Sequence, residues 1–179
     1  MNRKFPAKIY REDPHHRIPT GWLDDPTYAA AMTGFVIVCT DAMVIDRVRR
    51  TVWLADRTIL PMKGLWILGG RRLPGEAIEA SIQRCLEREA RLTFARERFE
   101  YLTQNEYVWS TRQQEPRNVG SHNLADTFAI ELTKDERDTV SRSLTPKEYK
   151  PGGLREFDRQ GLRDAKVHPA LLDLYDLVF

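Results

Sequence analysis

Cysteine is scarce in this sequence. There are two in 179 residues, Cys39 and Cys85, each among apolar neighbours. Two such thiols argue against a disulfide framework and suit a reducing compartment. Long apolar runs are missing as well. The longest, from Ala29 to Cys39, contains Thr33 and Gly34 and stops before Asp41, which is too short for a membrane span. There is no secretory leader, internal repeat or low-complexity segment, so the expected location is the cytoplasm. An excess of charge of one sign is also lacking. The 28 Lys and Arg against 26 Asp and Glu leave a net +2, too weak a field to draw nucleic acid or a membrane surface. What remains, 41% apolar and 30% charged residues, describes a protein with one core of ordinary size.

Residues 1–20 are rich in Lys, Arg and Pro without periodicity, and the pair His15-His16 reads as exposed. Asp24 and Asp25 before Pro26 form a good helix start, predicting a short helix to Met32 with Trp22 and Tyr28 docking it. The arm and helix, 1–32, precede a domain expected over 33–179. A run apolar on both faces from Thr33 to Ile45 predicts a central strand. Thr51 to Arg57 alternates and predicts a second strand. Further strands are expected at Leu65–Leu68, at Arg98–Ser110 with a bulge, at Leu124–Leu132 and at Leu154–Phe157. Residues 111–123 and 144–153 read as loops. Thr133 caps a short helix over Lys134–Arg142, and Asp164 to Phe179 reads as one amphipathic helix. Strands and helices without strict alternation imply an α/β fold, a mixed sheet covered on both sides.

One stretch, Gly64 to Leu92, carries the chemistry. A short buried strand meets Gly69-Gly70, the basic loop Arg71, Arg72, Leu73, Pro74, Gly75 follows, and a long helix starts near Glu76. A glycine pair at a strand end makes a tight turn or lets the backbone approach a ligand. At 100° per residue from Ile78, Ile82 falls at about +40°, Cys85 at about −20° and Leu92 at about −40°, forming a core stripe. Glu89 falls at about +20°, inside that stripe, where a carboxylate is costly unless an arginine pairs with it or it binds a metal. The flanking charges read as a solvated face, with Glu87 and Arg91 as an i,i+4 pair.

The spacing Gly70, Glu76, Arg84, Leu86, Glu89, Leu92 resembles the Nudix box, G-x5-E-x7-R-E-U-x-E-E-x-G-U, with U aliphatic. The resemblance covers roughly residues 33–179 and implies the Nudix α/β/α sandwich with a central mixed sheet. Cys85 and Arg88 stand where the box has glutamates, and Arg91 where it has its last glycine. One carboxylate of a three-carboxylate metal cluster remains.

The GDP-mannose mannosyl hydrolase branch of the family has a similar loss and uses one Mg2+. The segments W-L-D-D-P-T-Y-A-A-A and A-D-R, followed by G-L-W-I-L-G-G-R, are similar to it. The resemblance implies a Mg2+ (or Mn2+) held by Glu89 and the backbone of Gly69 or Gly70. It implies Arg57 and Arg71, with Arg72 and Arg84 nearby, as the grip on a nucleotide diphosphate. Glu148 and His122 are the candidates for a further ligand or base. Three functions follow: a one-metal hydrolase of a nucleoside diphosphate linked to a sugar or related moiety; a Nudix-fold binding or regulatory module in which Arg88 replaces metal charge; and a pyrophosphohydrolase with metal ligands outside the box. Trp66, Tyr107 and Trp109 read as core or as a base-stacking panel. A homodimer is the expected assembly.

Overall fold

The computed structural model describes residues 9–13 and 15–179. Helix α1 (Asp25–Gly34) begins where Asp24 accepts a hydrogen bond from the Thr27 amide. It runs two residues beyond the predicted end, because the Thr33 hydroxyl donates back to the Ala29 carbonyl instead of opening a strand. Strand β1 (Ile37–Asp46) is the axis of the sheet. It pairs antiparallel with β2 (Thr51–Arg57) through its last residues and with β4 (Leu68–Arg71) through Cys39 to Ala42, and parallel with β6 (Ser121–Glu131) along nearly its whole length. Its run of Ala42, Met43, Val44 and Ile45 is buried on both faces, as a central strand demands.

The strand order is β3 (Gly64–Trp66), β2, β1, β6, β5 (Glu100–Trp109), with β4 on β1 and β7 (Tyr149–Phe157) on β2. The predicted Leu65–Leu68 strand is two, β3 (Gly64–Trp66) and β4, broken at Ile67. Strand β5 (Glu100–Trp109) has its expected irregularity, a register shift between Tyr101 and Thr103. Strand β7 (Tyr149–Phe157) takes in residues expected to be loop. Arg57 pairs with Tyr149 and Ala55 with Leu154, so residues 150–153, including Gly152 and Gly153, bulge out opposite Asp56. The proline and two glycines that suggested a loop instead make the bulge, which re-aims Glu148 and Tyr149.

Helices cover both faces. On one, α2 (Ile78–Ala90) and α3 (Lys134–Ser143) bury Ile78, Ile82, Leu86 and Val140 against Ala42, Val44, Phe128 and Ile130. Helix α3 has a full capping box between Thr133 and Glu136. On the other, α4 (Arg159–Asp164) and α5 (Pro169–Val178) bury Leu162, Leu171 and Leu174 against Met43, Ile45 and Leu54. The single C-terminal helix expected from the pattern is interrupted here. Lys166 turns left-handed at φ 51°, and His168 caps a fresh start at Pro169. No described helix is long and apolar enough to cross a membrane.

Helix α2 ends at Arg91, which adopts φ 55° and ψ 27°. This is the left-handed position that glycine fills without steric cost, so Arg91 and Glu87 do not form the expected helical pair. Glu87 instead accepts from the Thr93 hydroxyl. Replacing Arg91 by glycine is expected to raise stability by about 0.5–1 kcal/mol, read as a higher denaturant midpoint at unchanged slope.

Candidate functional site

The site lies where β4 leaves the sheet and α2 passes over it. Gly69 sits at φ 156° against Asp41, so close that a Cβ would lie 2.3 Å from an Asp41 carboxylate oxygen and 2.4 Å from the Thr40 carbonyl. No side chain fits there, which is the reason for the first glycine of the pair. A Cβ on Gly70 would lie 3.4 Å from the Arg88 guanidinium, in ordinary contact.

Glu89 is buried in the apolar stripe of α2, as the helical geometry requires. Both of its oxygens are engaged. Arg88 Nη2 donates to Oε1 at 2.6 Å, and the Tyr149 hydroxyl donates to Oε2 at 2.5 Å. Neighbours in a helix point about 100° apart, so Arg88 reaches Glu89 only by folding back. The same Nη2 also donates to the Gly69 carbonyl at 3.3 Å. Burial raises the Glu89 pKa, opposed by the charge of Arg88 and the hydrogen bond from Tyr149. Burial, with the charge of Glu89, raises the Tyr149 phenol.

The two acceptors assigned by resemblance to Mg2+, the Gly69 carbonyl and Glu89, are therefore joined by a guanidinium. A divalent ion there would meet a fixed positive charge and would have to displace it. Among the described residues no group of three His, Cys, Asp or Glu side chains is placed to hold a metal. This donor set fits a cation already supplied by the chain, not Mg2+ or Mn2+ added to it.

A cavity of about 330 Å³ opens beside this cluster, lined by Arg57, Gly69, Gly70, Arg71, Arg88 and Glu148 among others. Arg57, Arg71, both glycines and Glu148 thus lie on one cavity, with Glu89 bonded to Arg88 beside it. The Arg57 Nε is buried and has no hydrogen-bond partner among the described residues. Arg71 lies over the Tyr28 ring at 4.6 Å and near Trp22 at 5.6 Å. Trp22 thus stays largely exposed, resting on Arg71 instead of docking in the core.

Two of the expected arginines do not line the cavity. Arg84 is held by Glu76 through two hydrogen bonds of 2.7 and 3.0 Å and by the Arg71 carbonyl at 2.8 Å. Arg72 donates to the Glu76 carbonyl at 2.9 Å. Both shape the loop that carries Arg71. His122 also lies off the cavity, on the opposite side of β6 from its neighbours Ser121 and Asn123, with Glu106 3.7 Å away.

Asp41 was not foreseen as a site residue. It lines the cavity from β1 and is almost fully buried. Burial pushes its pKa up to about 7, Arg57 opposes the rise, and Glu89 and Asp126 add to it. The signal was present: Asp41 follows Cys39 and precedes Met43 and Ile45 on one face of an otherwise apolar strand.

Because the folded pKa of Asp41 exceeds its unfolded value of about 3.9, its contribution to stability is full below pH 4 and falls away as the pH rises to 7. Asp41→Asn is expected to reduce the stability lost between pH 4.5 and 8 by on the order of 2 kcal/mol, read by denaturant unfolding at each pH. Identical pH profiles for the two proteins would contradict the assignment. Tyr149→Phe leaves one oxygen of a buried carboxylate unpaired and is expected to cost about 1–3 kcal/mol in the same measurement.

No protein-family model and no curated protein sequence matches the chain. Solved structures do. The MutT NUDIX hydrolase from Burkholderia pseudomallei superposes with a TM-score of 0.61 over 81% of this chain and 99% of its own, at 18% identity. The MutT protein from Methanosarcina mazei Go1 gives 0.53 over 80% and 92% at 12% identity. A NUDIX hydrolase from Nitrosomonas europaea gives 0.51 over 80% and 88% at 14% identity. The layered mixed sheet, the helix carrying Glu89 and these superpositions agree: the chain has the Nudix hydrolase fold.

Proposed function

We propose that the cavity takes a nucleoside diphosphate linked to another small moiety, and that the chain binds it with its own cation, Arg88, in place of a divalent metal. The observation that carries this is the double engagement of Arg88 Nη2 with Glu89 and the Gly69 carbonyl. Arg57, Arg71 and Arg88 all line the cavity and supply the positive charge a diphosphate needs. Glu148 and Asp41 are the acids facing them, and Asp41 carries less than a full charge near neutral pH. In this reading the chain is a binding or regulatory module on a hydrolase fold.

The sequence resemblance suggests a second reading on the same fold, hydrolysis of a nucleotide sugar with one Mg2+. Arg88 is 38% exposed at its side chain, and its bond to the Gly69 carbonyl is the longer of its two. If the guanidinium swings away, Glu89 and that carbonyl face a common point. A cytoplasmic homodimer remains part of the proposal on the same footing.

Calorimetric titration of GDP, with Mg2+ and with chelator, separates the two. Equal affinity in both conditions is expected, and Arg88→Gln should weaken binding about tenfold or more. GDP binding that requires Mg2+, with sugar released from GDP-mannose and turnover abolished in Glu89→Gln, would overturn the metal-free reading. Titration of Mn2+ into Arg88→Glu, which restores a carboxylate of the box, should reveal ion binding that the unaltered chain lacks.

A further inference from the structure

Arg112 stands at the other end of the same cavity, in the segment between β5 and β6. It is 2% exposed, the bulkiest of the fully buried side chains. Its Nε donates to the Gln114 carbonyl at 3.3 Å, and its Nη1 donates to the Thr33 hydroxyl at 2.9 Å and the Gly120 carbonyl at 3.5 Å. All three acceptors are neutral. Among the described residues no carboxylate comes within ion-pair distance of it, and its Nη2 makes no hydrogen bond. Asp25, which the same segment reaches, accepts from the Gln114 amide. By contrast Arg84, Arg88 and Arg98 each meet a glutamate.

A buried guanidinium without a counter-charge is expensive. The hydrogen bonds that tie this segment to α1 need only a neutral donor, so they do not account for the charge. The groups around it point to a polar ligand. Gln113, Gln114, Ser121 and Asn123 line this end, and the stacked pair Tyr107 and Trp109 lies alongside. β4, which carries Gly69 to Arg71, and β6, which begins at Ser121, lie on either side of β1, two strand spacings or roughly 10 Å apart. One diphosphate held at Arg57 and Arg88 would leave Arg112 to another part of the molecule.

We infer that Arg112 receives a second acidic group on the ligand, so the moiety linked to the diphosphate is an acid, such as a sugar bearing a carboxylate. This rests on the proposed diphosphate site. Nη2, the one guanidinium nitrogen left without a partner, can donate a charge-assisted hydrogen bond to a carboxylate oxygen.

The test compares GDP-mannose with GDP-mannuronate, which differ at one carbon, a hydroxymethyl against a carboxylate. Calorimetry on the unaltered chain is expected to give at least tenfold tighter binding of the acid. Arg112→Gln should bring that ratio close to one while leaving the affinity for GDP-mannose within about threefold. Loss of packing alone would weaken both ligands together and leave the ratio intact. Equal affinity of the unaltered chain for the two sugars would overturn the inference whether or not the variant folds, and GDP binding would then still support the diphosphate site. Absence of binding by GDP and by both sugars would overturn the site and the inference together.

Discussion

The carboxylate of Glu89 sets the terms for everything around it. It is buried among aliphatic side chains on α2, and such a group survives only if each oxygen finds a strong donor. Tyr149 comes from the bulged strand β7 and Arg88 from the preceding position of the same helix. The bulge at residues 150–153, the approach of β4 to α2 and the glycine at 69 each serve that arrangement. Without side chains on the glycines, the Arg88 guanidinium reaches past β4 to the Gly69 carbonyl and faces the cavity.

That placement changes the electrostatics of a Nudix-type site. A helix that presents several carboxylates attracts divalent ions, and the ions then attract diphosphate. Here one of those positions is an arginine, so the positive charge is covalently part of the chain. Arg57 and Arg71 also line the cavity, and Asp41, with its raised pKa, subtracts less than a full charge from the positive total near neutral pH. A fixed guanidinium holds a diphosphate through directional hydrogen bonds but cannot activate a water as a bound metal does. The proposed binding role follows from that difference.

Much of the fold was legible in the residues. The run at β1 is apolar on both faces because that strand lies at the centre of the sheet, and the stripe Ile78, Ile82, Cys85 put Glu89 in the core before any coordinates did. The spacing from Gly70 to Leu92 pointed to the Nudix sandwich. The misses came from segments whose local signals conflict with long-range pairing. Pro151-Gly152-Gly153 looks like a loop but is pinned as a bulge by β2 on both sides. The apolar pattern of 164–179 continues through a break that Lys166 and Pro169 impose. Arg84 looked free to meet a ligand because its partner Glu76 lies eight residues away in the preceding loop.

Within one element, side-chain direction follows from periodicity alone, so the sequence by itself determined the amphipathic helix α2, the buried place of Glu89 and the glycine turn before it. It also determined that Cys85 and Arg88 interrupt the acidic pattern of the box and that Arg91 replaces its last glycine. Tertiary structure decided what those departures do. It brought Arg88 to Glu89 and Gly69 at once, carried Tyr149 across from β7, set Asp41 beside Arg57 and enclosed Arg112 without a carboxylate. Apart from the Arg88–Glu89 pair, those contacts join positions distant in the chain, and their existence depends on strand register and helix packing, which no local spacing encodes.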